Sequence, residues 1–181
     1  MDPNNIQTLP LAQRRSLTRL EDILVDPESA PPSLSELKAE TIAACAKTIR
    51  NARKDGAGVI LIYGAHLLKN GAALILERLM SNGWLTHLAT NGAGTIHDWE
   101  FSFLGQSEES VRENVATGTF GTWEETGRNI HLSLLAGGLE GLGYGEALGR
   151  FIHNDGVSFP DPDTLVDLLE HDLNHVLAPA R

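Results

Sequence analysis

Cysteine is almost absent: Cys45 is the single thiol in 181 residues, which excludes an internal disulfide and any metal cluster held by thiolates alone. Basic residues are scarce too. Fourteen Lys and Arg stand against 24 Asp and Glu, a formal net charge of −10, too few cations for a stripe that neutralises phosphates, so no nucleic acid partner is expected. The same deficit disfavours an anionic membrane surface. No apolar run approaches the ~20 residues of a membrane span, and Met1-Asp2-Pro3-Asn4-Asn5 lacks both the positive and the apolar segment of a secretory signal. A reducing, cytoplasmic setting is therefore expected. What is present, 41 % hydrophobic and 21 % charged residues, is ordinary globular composition, enough for one domain with a real core.

The opening residues mix proline, charge and isolated apolar positions and end in Asp26-Pro27 and Ala30-Pro31-Pro32, a run that cannot continue a helix. They read as an irregular N-terminal arm over 1–32, with 33–181 as a single α/β domain. Ser33 and Glu36 predict a capping box, followed by Leu37, Thr41, Cys45, Ile49 and Ala52 at helical spacing until Gly56. On that stripe Cys45 reads as a small buried hydrophobe, having no neighbouring base to make it a nucleophile.

Val59-Ile60-Leu61-Ile62-Tyr63 is a continuous apolar run after a glycine-rich turn, which predicts a strand buried on both faces, as in a parallel sheet. Leu68, Ala72, Ile75, Leu76 and Leu79 then repeat with helical period up to Asn82-Gly83, and Leu85 to Thr90 reads as a second strand. Strand, helix and strand make one βαβ unit with a right-handed crossover. Beyond Thr90 the pattern is helical: Thr95 to Leu104, a helix after Ser107, one opened by Thr122 and Glu125 with Trp123, Ile130 and Leu134 on one face, and a last one opened by Asp161-Pro162. No third strand is indicated. Two parallel strands leave an open sheet, so further strands are expected from a carboxyl-terminal half or another subunit, and the chain alone is expected to be unstable or inactive.

In open α/β sheets ligands bind beyond the carboxyl ends of the strands. Two such loops occur, Gly64-Ala65-His66 and Thr90-Asn91-Gly92-Ala93-Gly94-Thr95, the second leading into Ile96-His97-Asp98-Trp99-Glu100. Glycine lets a backbone approach a pyrophosphate or ribose, and a helix beginning near Thr95 would turn its positive end toward anions. The loops alone read either as an anion or nucleotide site or as plain turn chemistry. His97, Asp98 and Glu100 crowd three titratable groups into one turn; the alternative is an acidic first turn that favours the helix dipole.

Other groups carry less. His171 and His175 lie one helical turn apart, a zinc-compatible spacing without a third ligand, and read as a solvated helix face, so no metal is assigned. Gly141, Gly143, Gly145 and Gly149 follow a helical segment instead of a strand, which predicts close helix packing over a dinucleotide fingerprint. Lys69 could form a Schiff base, but a lone lysine near a strand-end loop reads better as a phosphate or carboxylate contact. His131 and His153 are placed on helix surfaces or in core hydrogen bonds.

The run Gly58-Val59-Ile60-Leu61-Ile62-Tyr63-Gly64-Ala65-His66-Leu67, continued by Leu88-Ala89-Thr90-Asn91-Gly92-Ala93-Gly94-Thr95-Ile96-His97-Asp98, resembles deoxyhypusine synthase in order and spacing. Thr90, Gly94 and Asp98 fall on matching positions. The resemblance is stronger to bacterial deoxyhypusine synthase-like proteins, through Gly64-Ala65-His66-Leu67-Leu68-Lys69, Asn91 to Glu100, Phe120-Gly121, Glu124-Glu125-Thr126-Gly127-Arg128 and the glycine-rich stretch 141–149. It runs from about Leu11 to the last helix. The resemblance implies a Rossmann-like α/β fold and an NAD-dependent enzyme that oxidises or transfers a small amine-type substrate. It also implies an oligomer, a tetramer in that family, with NAD sites at subunit interfaces. Gly64, Ala65, His66, Thr90, Asn91, Gly92, Ala93 and Gly94 would line the NAD site, with His97, Asp98 and Glu100 as catalytic residues and Lys69 toward substrate or phosphate. His97 stands where the synthase has a glutamate suited to a polyamine cation, which argues against spermidine and for a general base near neutral pH. The family's covalent lysine lies in a carboxyl-terminal half with no counterpart before Arg181. The rival expectation is therefore a catalytically inactive or regulatory subunit that assembles with a complementary chain.

Overall fold

The structure, a computed structural model, describes residues 7–176, the side chains of 172–176 excepted, in two compact units, 1–123 and 124–181. It is a mixed α/β fold dominated by helix. The first unit opens with a short 3-10 helix (Leu11–Gln13), β1 (Thr18–Arg19), α1 (Leu20–Ile23) and α2 (Glu36–Lys54). It continues with β2 (Ile60–Ile62), α3 (Ala65–Lys69), α4 (Ala73–Ser81), β3 (His87–Ala89), α5 (Gly92–Leu104), β4 (Gln106–Ser107) and α6 (Val111–Thr117).

β2 and β3 pair in parallel, Ile60 opposite His87 and Ile62 opposite Ala89, and the ladder extends through Tyr63 N–H to Ala89 O at 2.9 Å. Alternation along the strand turns Val59, Leu61 and Tyr63 onto a core of Leu68, Leu76 and Leu85 supplied by α3, α4 and the turn after α4. The expected burial of both faces does not hold: Ile60 and Ile62 are 62 % and 80 % exposed. The side chains that cover the sheet come from one side only, and an apolar run cannot tell one covered face from two.

The single helix expected between the strands is broken at Asn70–Ala72. Gly71, at φ +80°, makes the turn, and a Cβ there would sit 1.9 Å from the Ile23 carbonyl oxygen, whose chain continues to Val25 N–H donating to Gly71 O at 3.0 Å. The predicted arm is thus tied in by hydrogen bonds. A second ladder adds to this: β1 pairs antiparallel with β4, Thr18 opposite Ser107. Leu11 and Arg14 are buried. A two-residue strand has no period to read, which is why the sequence did not predict it.

α2 starts at Glu36 without the Ser33 capping box, and Ser35 at its N-cap makes no side-chain bond. None of its residues is buried, so Cys45 is exposed, contrary to its predicted place in a core. The stripe is real, but only Ala46, Ile49 and Arg50 border an open apolar groove with Leu79, Trp84 and Leu85.

The second unit comprises α7 (Glu124–Leu139), α8 (Tyr144–Asn154) and α9 (Pro162–Val176). α7 and α8 approach closely at Gly137, where a Cβ would meet the Ala147 Cβ at 2.3 Å. Gly141, Gly143, Gly145 and Gly149 have nothing within 4 Å of that position, so the predicted close packing belongs to Gly137 instead. Thr122, expected to open α7 with Glu125, donates through Oγ1 to Thr119 O at 3.0 Å. Asp161 does cap α9, its Oδ1 accepting from Asp163 N at 3.1 Å and Thr164 N at 3.0 Å, with Pro162 at the first helical position. Among the described residues no helix is long and apolar enough to cross a membrane.

Candidate functional site

Parallel pairing puts the ends of β2 and β3 side by side, so the loops beginning at Gly64 and Thr90 leave the same edge of the ladder. The Tyr63 hydroxyl lies near enough to the Thr90 side chain for that side chain to influence its titration. Gly94 lies against Thr90 so closely that a Cβ would be 2.3 Å from Thr90 Oγ1, a contact only glycine permits. Asn91 caps α5 by accepting from Gly94 N at 3.2 Å, which starts that helix at Gly92, earlier than the expected Thr95. The amides of Gly92 and Ala93 then have no acceptor within the helix. Gly64 and Gly92 both have open space where a Cβ would stand. Backbone approach by a ribose or pyrophosphate is thereby allowed at both loops, and in this respect the residues present fit a dinucleotide.

One turn into α5, His97 enters a network that the local sequence does not announce. Its Nδ1 lies 2.6 Å from Ser107 Oγ. Ser107 donates to Glu100 Oε2 at 2.5 Å, and Arg14 donates from Nη1 to Glu100 Oε1 at 2.7 Å and from Nη2 to Oε2 at 2.8 Å. The Arg14 and Glu100 side chains are 3 % and 2 % exposed, and Arg14 lies over the Trp123 ring at 5.7 Å. Glu100, expected among the catalytic carboxylates, is thus turned inward. It can orient a neighbour but cannot touch a substrate.

Lys69 is also already engaged. It pairs with Glu108 at 2.5 Å, and Glu108 accepts from Thr18 Oγ1 at 2.7 Å. Its charge is therefore balanced within the protein by a partly exposed pair. His66 is exposed and near enough to His97 to act on it electrostatically.

These surroundings set the titration of the site. Partial burial pushes the His97 pKa below its ordinary value; Lys69, Arg14 and His66 add to that and Glu100 opposes it. The Asp98 carboxyl keeps accessible surface, yet crowding by protein atoms desolvates it enough to raise its pKa. Tyr63 is raised too, first by burial and then by the Asp98 charge, against the opposing influence of Thr90. A neutral imidazole and an accessible carboxyl on the same helix are groups able to serve proton transfer on a cationic molecule.

The structure thus gathers His66, Thr90, Asn91, Gly92, Gly94, His97 and Asp98 near the strand ends, with Glu100 buried and Lys69 paired to Glu108. Sequence reasoning missed Arg14 and Ser107. Arg14 is 86 residues from its partner, and nothing local distinguishes it from Arg15. Elsewhere, no group of three or more His, Cys, Asp or Glu able to hold a metal occurs among the described residues. His171 is exposed on α9, and the side chain of His175 lies outside the described residues. Comparison with protein-family models, curated proteins and solved structures finds no match.

Proposed function

We propose that this chain is a deoxyhypusine synthase-like, NAD-binding subunit of Rossmann-like type, acting on a small amine-type substrate at the carboxyl ends of β2 and β3. The observation that supports it best is the convergence of two open glycines, Gly64 and Gly92, with His97 and Asp98 at a single edge of a parallel ladder. When bound, NAD supplies a hydride acceptor. The chain's own residues do the rest: backbone at Gly64, Gly92 and Ala93 receives the cofactor, Asp98 anchors the substrate ammonium, and His97 takes the proton that leaves the amine nitrogen. The exposed Ile60 and Ile62 face supports its being covered by other copies, a tetramer by resemblance, or by a complementary chain. That same face supports the rival reading, a regulatory subunit whose role is assembly. A cytoplasmic location accords with the lone, exposed thiol.

Calorimetric titration of NAD into the chain, with light scattering to follow its assembly, tests the proposal. Saturable binding that is lost in Gly92→Val, with the helical circular dichroism unchanged, is the expected result. His97→Ala should then bind NAD normally and lose turnover. No saturable binding by the wild-type chain, alone or assembled, would overturn the cofactor reading and favour the regulatory one.

A further inference from the structure

The chain of bonds from Arg14 to His97 fixes more than the position of an imidazole. Glu100 faces a guanidinium on both oxygens inside the protein, and a buried guanidinium requires an anionic partner, so Glu100 is a carboxylate and acts only as an acceptor. Ser107 is fully buried and has one hydroxyl proton. With Oε2 at 2.5 Å that proton goes to Glu100, and Ser107 Oγ can meet His97 Nδ1 at 2.6 Å only by accepting. Nδ1 must therefore carry hydrogen.

We propose that Ser107 and Glu100 are positioning residues that hold neutral His97 as its Nδ1–H tautomer, leaving Nε2 as the nitrogen that accepts a substrate proton. Free histidine in water prefers the opposite tautomer, so the bias is imposed by the fold. Nε2 makes no hydrogen bond to a described residue and is not among the sealed, unpartnered polar atoms, so it remains open to a reactant. When Nε2 takes a proton, the imidazolium still donates through Nδ1 to Ser107, Ser107 still donates to Glu100, and no proton crosses the serine. The positive charge gained on the ring faces a carboxylate one hydroxyl away. Arg14 balances that carboxylate in advance, so the ring is aimed by Glu100 without being held permanently protonated. Lys69 and His66, the other cationic or titratable groups around the ring, also disfavour the protonated form. The chemical use of Nε2 rests on the proposed function; the tautomer rests on the hydrogen bonds alone.

The test is a long-range proton–nitrogen correlation spectrum of the intact chain with 15N-labelled histidine, recorded above the His97 titration and assigned with His97→Gln. The expected spectrum places His97 Nδ1 in the range of a protonated nitrogen and Nε2 in that of a lone-pair nitrogen. The reverse pattern would overturn the proposal. In Ser107→Ala the balance should move toward Nε2–H by about fivefold, the equivalent of one lost hydrogen bond, with kcat reduced and KM for the amine little changed. An unchanged tautomer in that variant would remove Ser107 from the role. Should Ser107→Ala fail to fold, the wild-type spectrum decides alone. The spectrum needs no cofactor, so an Nδ1–H tautomer in a chain that fails to bind NAD would sink the proposed function and leave this inference standing, and the converse separates them equally.

Discussion

Arg14→Met removes the guanidinium while keeping much of the aliphatic stem, and its effect can be worked out from burial. Both members of the Arg14–Glu100 pair are nearly inaccessible, at 3 % and 2 %. The substitution strips two charge-assisted bonds from a carboxylate that cannot reach water. Breaking a buried pair by removing one partner costs about 3–5 kcal/mol, a large share of the roughly 5–15 kcal/mol that holds a domain together. With a urea dependence of about 2 kcal/mol per molar, the unfolding midpoint should fall by roughly 1.5–2.5 M. Tryptophan fluorescence is the natural probe, because Trp84, Trp99 and Trp123 all belong to the first unit. The deficit should shrink as pH is lowered, since protonation discharges the stranded carboxyl. Arg14→Met combined with Glu100→Leu should regain much of the loss, because no uncompensated charge is left behind. A midpoint shift below roughly 0.5 M for the single variant, about 1 kcal/mol, would refute the pairing as described.

Two further outcomes follow from the site and the fold. His97 titrates below 6.5 in the folded chain, so the unfolded chain binds the extra proton first on acidification. Its contribution to stability is complete above about 6.5 and is lost as pH falls toward the folded value. Asp98 runs the other way: its folded pKa lies above 3.8, so its ionisation opposes folding and acidification through the interval down to 3.8 relieves that opposition. Urea midpoints across this range for the wild type, His97→Gln and Asp98→Asn should diverge with those signs, and parallel curves would contradict the assigned environments. Gly71→Ala should cost about 3 kcal/mol or more, since the left-handed turn and the Ile23 carbonyl both exclude a Cβ. A thermal midpoint within about 2 °C of wild type would show that the turn relaxes freely.

How far the sequence reached can be judged from particular residues. The parallel pairing of Ile60–Ile62 with His87–Ala89 was legible because an apolar run, a helical repeat and a second run came in the order a βαβ unit requires. Asp161-Pro162 was legible because an N-cap and an N1 proline act within four residues. Cys45 was misjudged because a helical stripe records only that a face is apolar, and α2 leaves that face largely uncovered. His97 and Asp98 were singled out from their crowding near a strand end. Their division from Glu100 was not, since which neighbour reaches inward depends on Arg14, contributed by a distant segment. Ser107 was invisible for a related reason: a lone serine after a helix has no pattern until β1 lies beside it.

That last pairing ties the chemistry to the order in which the molecule comes apart. Ser107 is at once the hydroxyl behind the imidazole and the residue opposite Thr18 in the β1–β4 ladder. Arg14, four residues before Thr18, belongs to the same N-terminal segment. Closing this arrangement spans 86 residues of chain, a loop whose entropic cost is met only when the distant contacts form together. The least secured strands of a structure open first, and here the ladder is two residues long. Fraying of the N-terminal segment would therefore release the His97 imidazole while the helices still stand. Reactivity at His97 would then report the docking of that segment, fading at lower denaturant than the helical signal does.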